Sequence, residues 1–209
     1  MAPQKLKVAA AGLGRMDKRY ALNFLNRAPR AELVAAFTPD PSKMQLAKQN
    51  LEPYGVTLYD DYDKMISHPR LMVVVIGTAT SVHAEEAIKA MEKNLHVLCK
   101  KRLSTDIKVC KDTVAAAKKR PRLKVMCGFS RRFDESYGRL CIIRGQTGDK
   151  HDPSEFFVEY AAWSDSIFVD MAVHDIDLTF WFFVDDIVPK SLLAHGTTVI
   201  HLDLKKCND

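Results

Sequence analysis

Asp170, His174 and Asp177 are spaced so that a helix turning about 100° per residue places them within roughly 60° of one another. The other faces of that helix carry Met171, Val173, Ile176, Phe180 and Phe183. Ionisable groups on an otherwise apolar helix need a reason, because burying an unpaired charge is costly. One reason is chemical. His174 can take and return a proton, with Asp170 setting its tautomer. The same spacing also describes a packed cluster in which an aspartate merely orients a histidine. Metal binding is less favoured, since the sequence offers no further ligand cluster at a suitable spacing.

A second group, Lys100-Lys101-Arg102, directly follows the apolar run His96-Val-Leu-Cys99. Read as a strand, that run delivers three cations to its carboxyl end, where ligands bind in open α/β sheets. A solvated basic turn is the plainer reading of such a charge run. The third group is Gly12-Leu-Gly14 after the charge-free run Val8 to Ala11. From Met16 the apolar residues Met16, Tyr20 and Phe24 recur at helical spacing. Strand, glycine turn and helix open a dinucleotide-binding unit: Gly12 permits the turn, and Gly14 lets backbone N–H groups approach a pyrophosphate. Asp17 stands where G-x-G-x-x-G requires Gly or Ala.

The elements that must position these groups alternate. Strands are expected at Leu6–Ala11, Glu32–Phe37, Val56–Tyr59, Leu71–Gly77, His96–Cys99 and Leu123–Cys127. Helices are expected after Met16 and over 41–51, 61–66, 81–93 and 105–119. This predicts an α/β protein with an N-terminal Rossmann-type, doubly wound parallel sheet over residues 1–128. Past Gly128 the pattern weakens. A helix begins near Arg131, Glu155–Ala162 has strand character, Phe168–Val184 is a long apolar helix, and 190–204 contains a strand. Residues 129–209 therefore read as a truncated α+β domain. The residue just past the second strand is Thr38, followed by Asp40 and Lys43. Asp40 would serve the ribose hydroxyls of NAD, whereas Thr38 with Lys43 would suit the 2′-phosphate of NADP. The residues leave this choice open.

With 31 Lys and Arg against 26 Asp and Glu, the 209-residue chain carries a net charge of +5. The cations are dispersed, and no basic stripe is interleaved with aromatics, which argues against nucleic-acid binding. Five cysteines, at 99, 110, 127, 141 and 207, include no C-x-x-C and read as reduced thiols. Met-Ala-Pro-Gln-Lys leads straight into the first strand, and no apolar run is long enough to span a bilayer. The expectation is a cytoplasmic protein.

Five stretches carry a resemblance to a known family. They are Gly-Leu-Gly-Arg-Met at 12–16, Thr-Ala-Thr-Ser-Val-His-Ala-Glu at 78–85, and His-Val-Leu-Cys-Lys-Lys at 96–101. Gly-Phe-Ser-Arg-Arg-Phe-Asp at 128–134 and Ile-Phe-Val-Asp-Met-Ala-Val-His-Asp-Ile-Asp-Leu at 167–178 complete the set. Together they resemble the Gfo/Idh/MocA oxidoreductases, which include myo-inositol dehydrogenases. The resemblance implies NAD or NADP as cofactor and a sugar, polyol or other secondary alcohol as substrate. It implies that Lys101 hydrogen-bonds the substrate hydroxyl, that His174 takes its proton, and that Asp170 orients both. Gly12, Gly14, Arg15, Met16, Thr38, Thr78, Thr80, His83 and Lys100 would lie along the cofactor. Arg131 and Asp177 would contact substrate, no metal would be used, and copies would associate into a homo-oligomer.

The departures from the family's pattern are specific. Its Glu-Lys-Pro motif is Lys100-Lys101-Arg102 here, Asp17 interrupts the fingerprint, and Ser164-Asp165-Ser166 replaces a glycine-rich turn. Members of the family are also considerably longer, so the chain reads as C-terminally truncated and its activity as impaired. These departures motivate a rival expectation, a non-catalytic dinucleotide-binding regulatory protein of the same descent.

Overall fold

The computed structural model describes residues 4–14, 17–133 and 172–182, together with the isolated positions 188, 191 and 193. Contacts divide the chain into one unit over Met1–Gly128 and another over Phe129–Asp209.

The first unit alternates strand and helix. Its strands are β1 (Leu6–Ala11), β2 (Ala31–Phe37), β3 (Thr57–Tyr59), β4 (Val73–Ile76), β5 (His96–Lys100) and β6 (Val125–Gly128). Its helices are α1 (Asp17–Asn26), α2 (Pro41–Asn50), α3 (Tyr62–Met65), α4 (Thr80–Glu92) and α5 (Ile107–Lys118). All five strand pairings are parallel, in the order β3-β2-β1-β4-β5-β6. This is the doubly wound order, whose switch point falls between β1 and β4.

Local chemistry sets the element ends. Asp40 caps α2 by accepting from the Ser42 N–H at 2.9 Å, with Pro41 in the first helical position, where its missing N–H costs nothing. Asp106 caps α5 by accepting from the Lys108 N–H at 2.7 Å, so that helix starts at Ile107 rather than at Thr105. β4 is shorter than its apolar run suggests. Arg70 turns the chain with a φ of 61°, and strand geometry begins only at Val73.

The sheet is buried on both faces, which is why its strands read as continuous apolar runs. One layer packs Ala9, Ala11, Phe37, Val74, Ile76, Val97 and Cys99 against Met65, Ala87, Ala90 and Met91 from α3 and α4. The opposite layer packs Ala10, Leu33 and Ala36 against Ala21 of α1 and Ala47 of α2. Between Val8 and Ala9 the β1–β2 register slips: Val8 pairs with Leu33, but Ala9 pairs with Ala35. The extra residue, Val34, joins Ala35 in the same core layer.

In the second unit the described elements are a 3₁₀ turn, Ser130–Phe133, and a helix α6, Val173–Phe182. The helix expected from Arg131 is, in its described part, that single turn. The expected strands in 155–162 and 190–204 lie outside the described elements.

Candidate active site

The glycine turn is built by close backbone packing. Gly12 has a φ of 91°, and a Cβ there would come within 2.7 Å of the Gly77 carbonyl carbon and the Thr78 nitrogen. Only glycine meets both demands. The Gly12 N–H donates to the Phe37 carbonyl at 2.9 Å, and the Gly77 N–H donates to the Ala11 carbonyl at 2.8 Å. The carboxyl ends of β1, β2 and β4 are thus laced together around the turn. Gly14 follows in a half-buried bend; Arg15 and Met16 lie outside the described residues.

Thr38 sits at the end of β2 and is buried. Its N–H donates to the Tyr59 carbonyl at 3.1 Å, and its Oγ1 accepts from the Asp40 N–H at 3.3 Å. The Asp40 carboxylate is engaged by its own helix. It accepts from the Ser42 N–H and hydroxyl, and it pairs with Lys43 Nζ at 3.0 Å. Bonds from the Ser42 and Lys43 side chains hold this exposed carboxyl well below the usual range.

At the β4–α4 junction the Thr78 hydroxyl donates to Glu86 Oε2 at 2.5 Å, and Thr80 opens α4 half-buried. His83 is only 1% exposed. Its Nδ1 lies 2.7 Å from the Arg102 carbonyl oxygen and its Nε2 lies 3.0 Å from that of Thr78. The ring therefore sits beneath the rim rather than facing a ligand. Lys100 ends β5, paired with Gly128, and Lys101 follows half-buried. The Lys101–Arg102 peptide bond is cis, and Arg102 is buried.

Glu86 is a residue the sequence did not single out as chemical. It is buried on α4, its backbone carbonyl accepts from the Tyr62 hydroxyl at 2.7 Å, and burial pushes its carboxyl up from 4.5 to about 7. Between those values the folded chain retains a proton that the unfolded chain has released. Stability from this group is complete below about pH 4.5 and is lost as pH rises through about 7. Glu86→Gln is expected to remove that loss, on the order of 2–3 kcal/mol. Melting curves from pH 4.5 to 8 test it: equal slopes for variant and wild type would defeat the assignment.

In the second unit, α6 carries His174, whose ring meets that of Phe129 edge to face with centroids 6.3 Å apart. Asp170 lies outside the described residues. Arg131 and Asp177 do not pair with each other. Arg131 Nη1 bonds Asp175 Oδ1 at 2.6 Å, while Arg132 holds Asp177 through two bonds, one from Nε to Oδ2 at 2.7 Å. The Arg132 guanidinium also lies 4.9 Å from the Trp181 ring centroid and 5.7 Å from that of Phe129. Asp177 thus anchors the turn to α6, with its carboxylate only 9% exposed. Arg132→Lys, which lacks the two-pronged donor, is expected to destabilise this unit by about 1 kcal/mol. Chemical denaturation of variant and wild type measures it, and an unchanged midpoint would contradict it.

The parallel order, the glycine turn and the edge loops define a dinucleotide-binding Rossmann protein. Residues 6–129 match the family model described as "Oxidoreductase family, NAD-binding Rossmann fold", and the chain belongs to that Gfo/Idh/MocA family. It is 30% identical over 207 residues to scyllo-inositol 2-dehydrogenase (NAD(+)) of Bacillus subtilis, covering 92% of this chain and 57% of that protein. It is 26% identical to myo-inositol 2-dehydrogenase of Thermotoga maritima, covering 98% of this chain and 62% of that one. Among solved structures, scyllo-inositol dehydrogenase from Lactobacillus casei with bound NAD(H) and scyllo-inositol superposes with a TM-score of 0.76. That match is 30% identical and covers 86% of this chain and 56% of the other. The chain thus spans about three-fifths of the length of these curated relatives. Among the described residues no helix is long and apolar enough to cross a membrane, and no group of three or more His, Cys, Asp or Glu could hold a metal ion.

Proposed function

We propose that the chain carries the cofactor site and the reacting groups of an NAD(P)-dependent oxidoreductase acting on the secondary alcohol of an inositol-like polyol. One observation carries the reading: the Gly12 turn and Lys101 lie on the same carboxyl rim of one parallel sheet. A glycine turn packed too closely for any side chain, between the end of β1 and the α1 helix, is the kind of turn that lets a dinucleotide pyrophosphate approach. The inositol dehydrogenases among the relatives support the polyol class and the nicotinamide cofactor.

The bound nicotinamide supplies the hydride acceptor. The chain's own groups do the rest. The Lys101 ammonium hydrogen-bonds the substrate hydroxyl and stabilises negative charge developing on that oxygen. His174 removes the hydroxyl proton, with Asp170 as its orienting partner. Arg131, Thr78, Thr80 and Lys100 serve binding in this scheme, and Gly12 and Gly14 serve the turn.

Two measurements test it. Dinucleotide at one hundred times its Kd adds about 2.7 kcal/mol to stability, which raises the melting temperature by roughly 5–10 °C. Absorbance of reduced nicotinamide, followed across a panel of polyols, reads turnover. A melting shift without turnover would favour the regulatory, non-catalytic alternative suggested by the Lys100-Lys101-Arg102 motif. No shift with either dinucleotide would remove both.

A further inference from the structure

We propose that His83 is a positioning residue, which fixes the Lys101 turn to the cofactor rim by donating from Nδ1 to the Arg102 carbonyl. The residue is carried on the first turns of α4, and the ring is sealed from solvent at 1% exposure. Its hydrogen-bond partners are protein groups. Both ring nitrogens face main-chain carbonyls, at 2.7 Å for Nδ1 to Arg102 and 3.0 Å for Nε2 to Thr78. Carbonyl oxygens only accept, so each of these contacts is a hydrogen bond only where the ring donates. The shorter one is at Arg102.

The two acceptors belong to different segments. Thr78 is the residue whose backbone nitrogen backs the Gly12 turn, and its hydroxyl is tied to buried Glu86. Arg102 directly follows Lys101 and is itself buried. Cys99, two residues before Lys101, is buried as well. Lys101 therefore projects from a short segment with buried positions on both sides, and the Nδ1 bond ties that segment to the start of α4, which the chain enters two residues past the Thr78 backbone that backs the Gly12 turn. A general core histidine would stabilise the fold without linking these two elements. This one couples them.

The experiment uses the full chain. In ¹⁵N-histidine-labelled protein, long-range nitrogen–proton spectra report which ring nitrogens carry protons, with His83 assigned by its contacts to Thr78 and Arg102. A proton on Nδ1 at neutral pH is expected; an unprotonated Nδ1 overturns the proposal. His83→Gln and His83→Phe are then compared with wild type for dinucleotide Kd and for kcat. The expected result is at least a tenfold loss of kcat in His83→Phe with Kd changed less than threefold. His83→Gln, whose amide can donate to one carbonyl, should recover part of that loss. Unchanged kcat in both variants overturns the proposal, and the ring spectrum decides it if neither variant folds. The kinetic arm rests on the oxidoreductase reading. A wild-type chain with a protonated Nδ1 and no turnover would count against that reading and leave the clasp standing.

Discussion

Lys101→Ala is expected to lower kcat by at least 100-fold while leaving the dinucleotide-induced rise in melting temperature intact. A positioned proton donor or charge-stabilising group contributes roughly 10²–10⁴ in rate. The ammonium sits on a turn fixed at Cys99 and Arg102, so truncation removes the charge without moving the backbone that presents it. The hydrophobic core beneath that turn is made by Cys99, Leu103 and their neighbours. The folded state should therefore survive. Paired melting curves and absorbance assays separate the two effects. A variant that turns over at the wild-type rate would show that the reaction does not use this ammonium.

Gly12→Val is expected to abolish dinucleotide binding and to lower stability by about 2–4 kcal/mol. Two independent penalties act on one atom. A φ of 91° is poorly tolerated by a β-branched residue, and the added carbon would meet the Gly77 and Thr78 backbone at 2.7 Å. Backbone atoms cannot swing aside as the tip of a side chain can. The neighbouring bonds, from Gly12 N–H to Phe37 and from Gly77 N–H to Ala11, would be strained together. Calorimetric titration and thermal melting of the variant read both losses. Binding within threefold of wild type would mean the ligand does not approach this turn.

Much of this rim was legible in the residues. The runs at Val8–Ala11 and 71–76 are too uniformly apolar for a sheet with one wet face, so a doubly covered parallel sheet followed from them. The helix start at Pro41 was legible too, whereas the cap at Asp106 was not, and it moves the start of α5 from Thr105 to Ile107. Adjacent glutamates were harder to separate. Glu85 is exposed and pairs with Lys89 at 3.1 Å, whereas Glu86, 100° further round, points inward. A signal was present: Glu86 stands three residues from His83 and four from Ala90, inside the buried stripe that also contains Ala87 and Met91. Pairings across long separations left no such trace. Nothing in the local pattern tells that Asp177 meets Arg132 rather than Arg131, because both arginines sit in one short turn and the choice depends on its rotation. For the same reason the partner of His83, nineteen residues away, could not be read from spacing.

The slip in register between β1 and β2 has a bearing on how related chains are aligned and cut. With Val34 as the supernumerary residue, every position after it in β2 keeps its correct layer only because of the extra step: Ala36 lies in one core cluster and Phe37 in the other. Shortening β2 by one at Val34 or Ala35 would simply restore an even ladder. Removing one residue downstream would swap inside for outside along the rest of the strand and carry Thr38 to the wrong side of the rim. A homologue lacking the step is therefore properly matched by a gap inside β2, not in the loop beyond it.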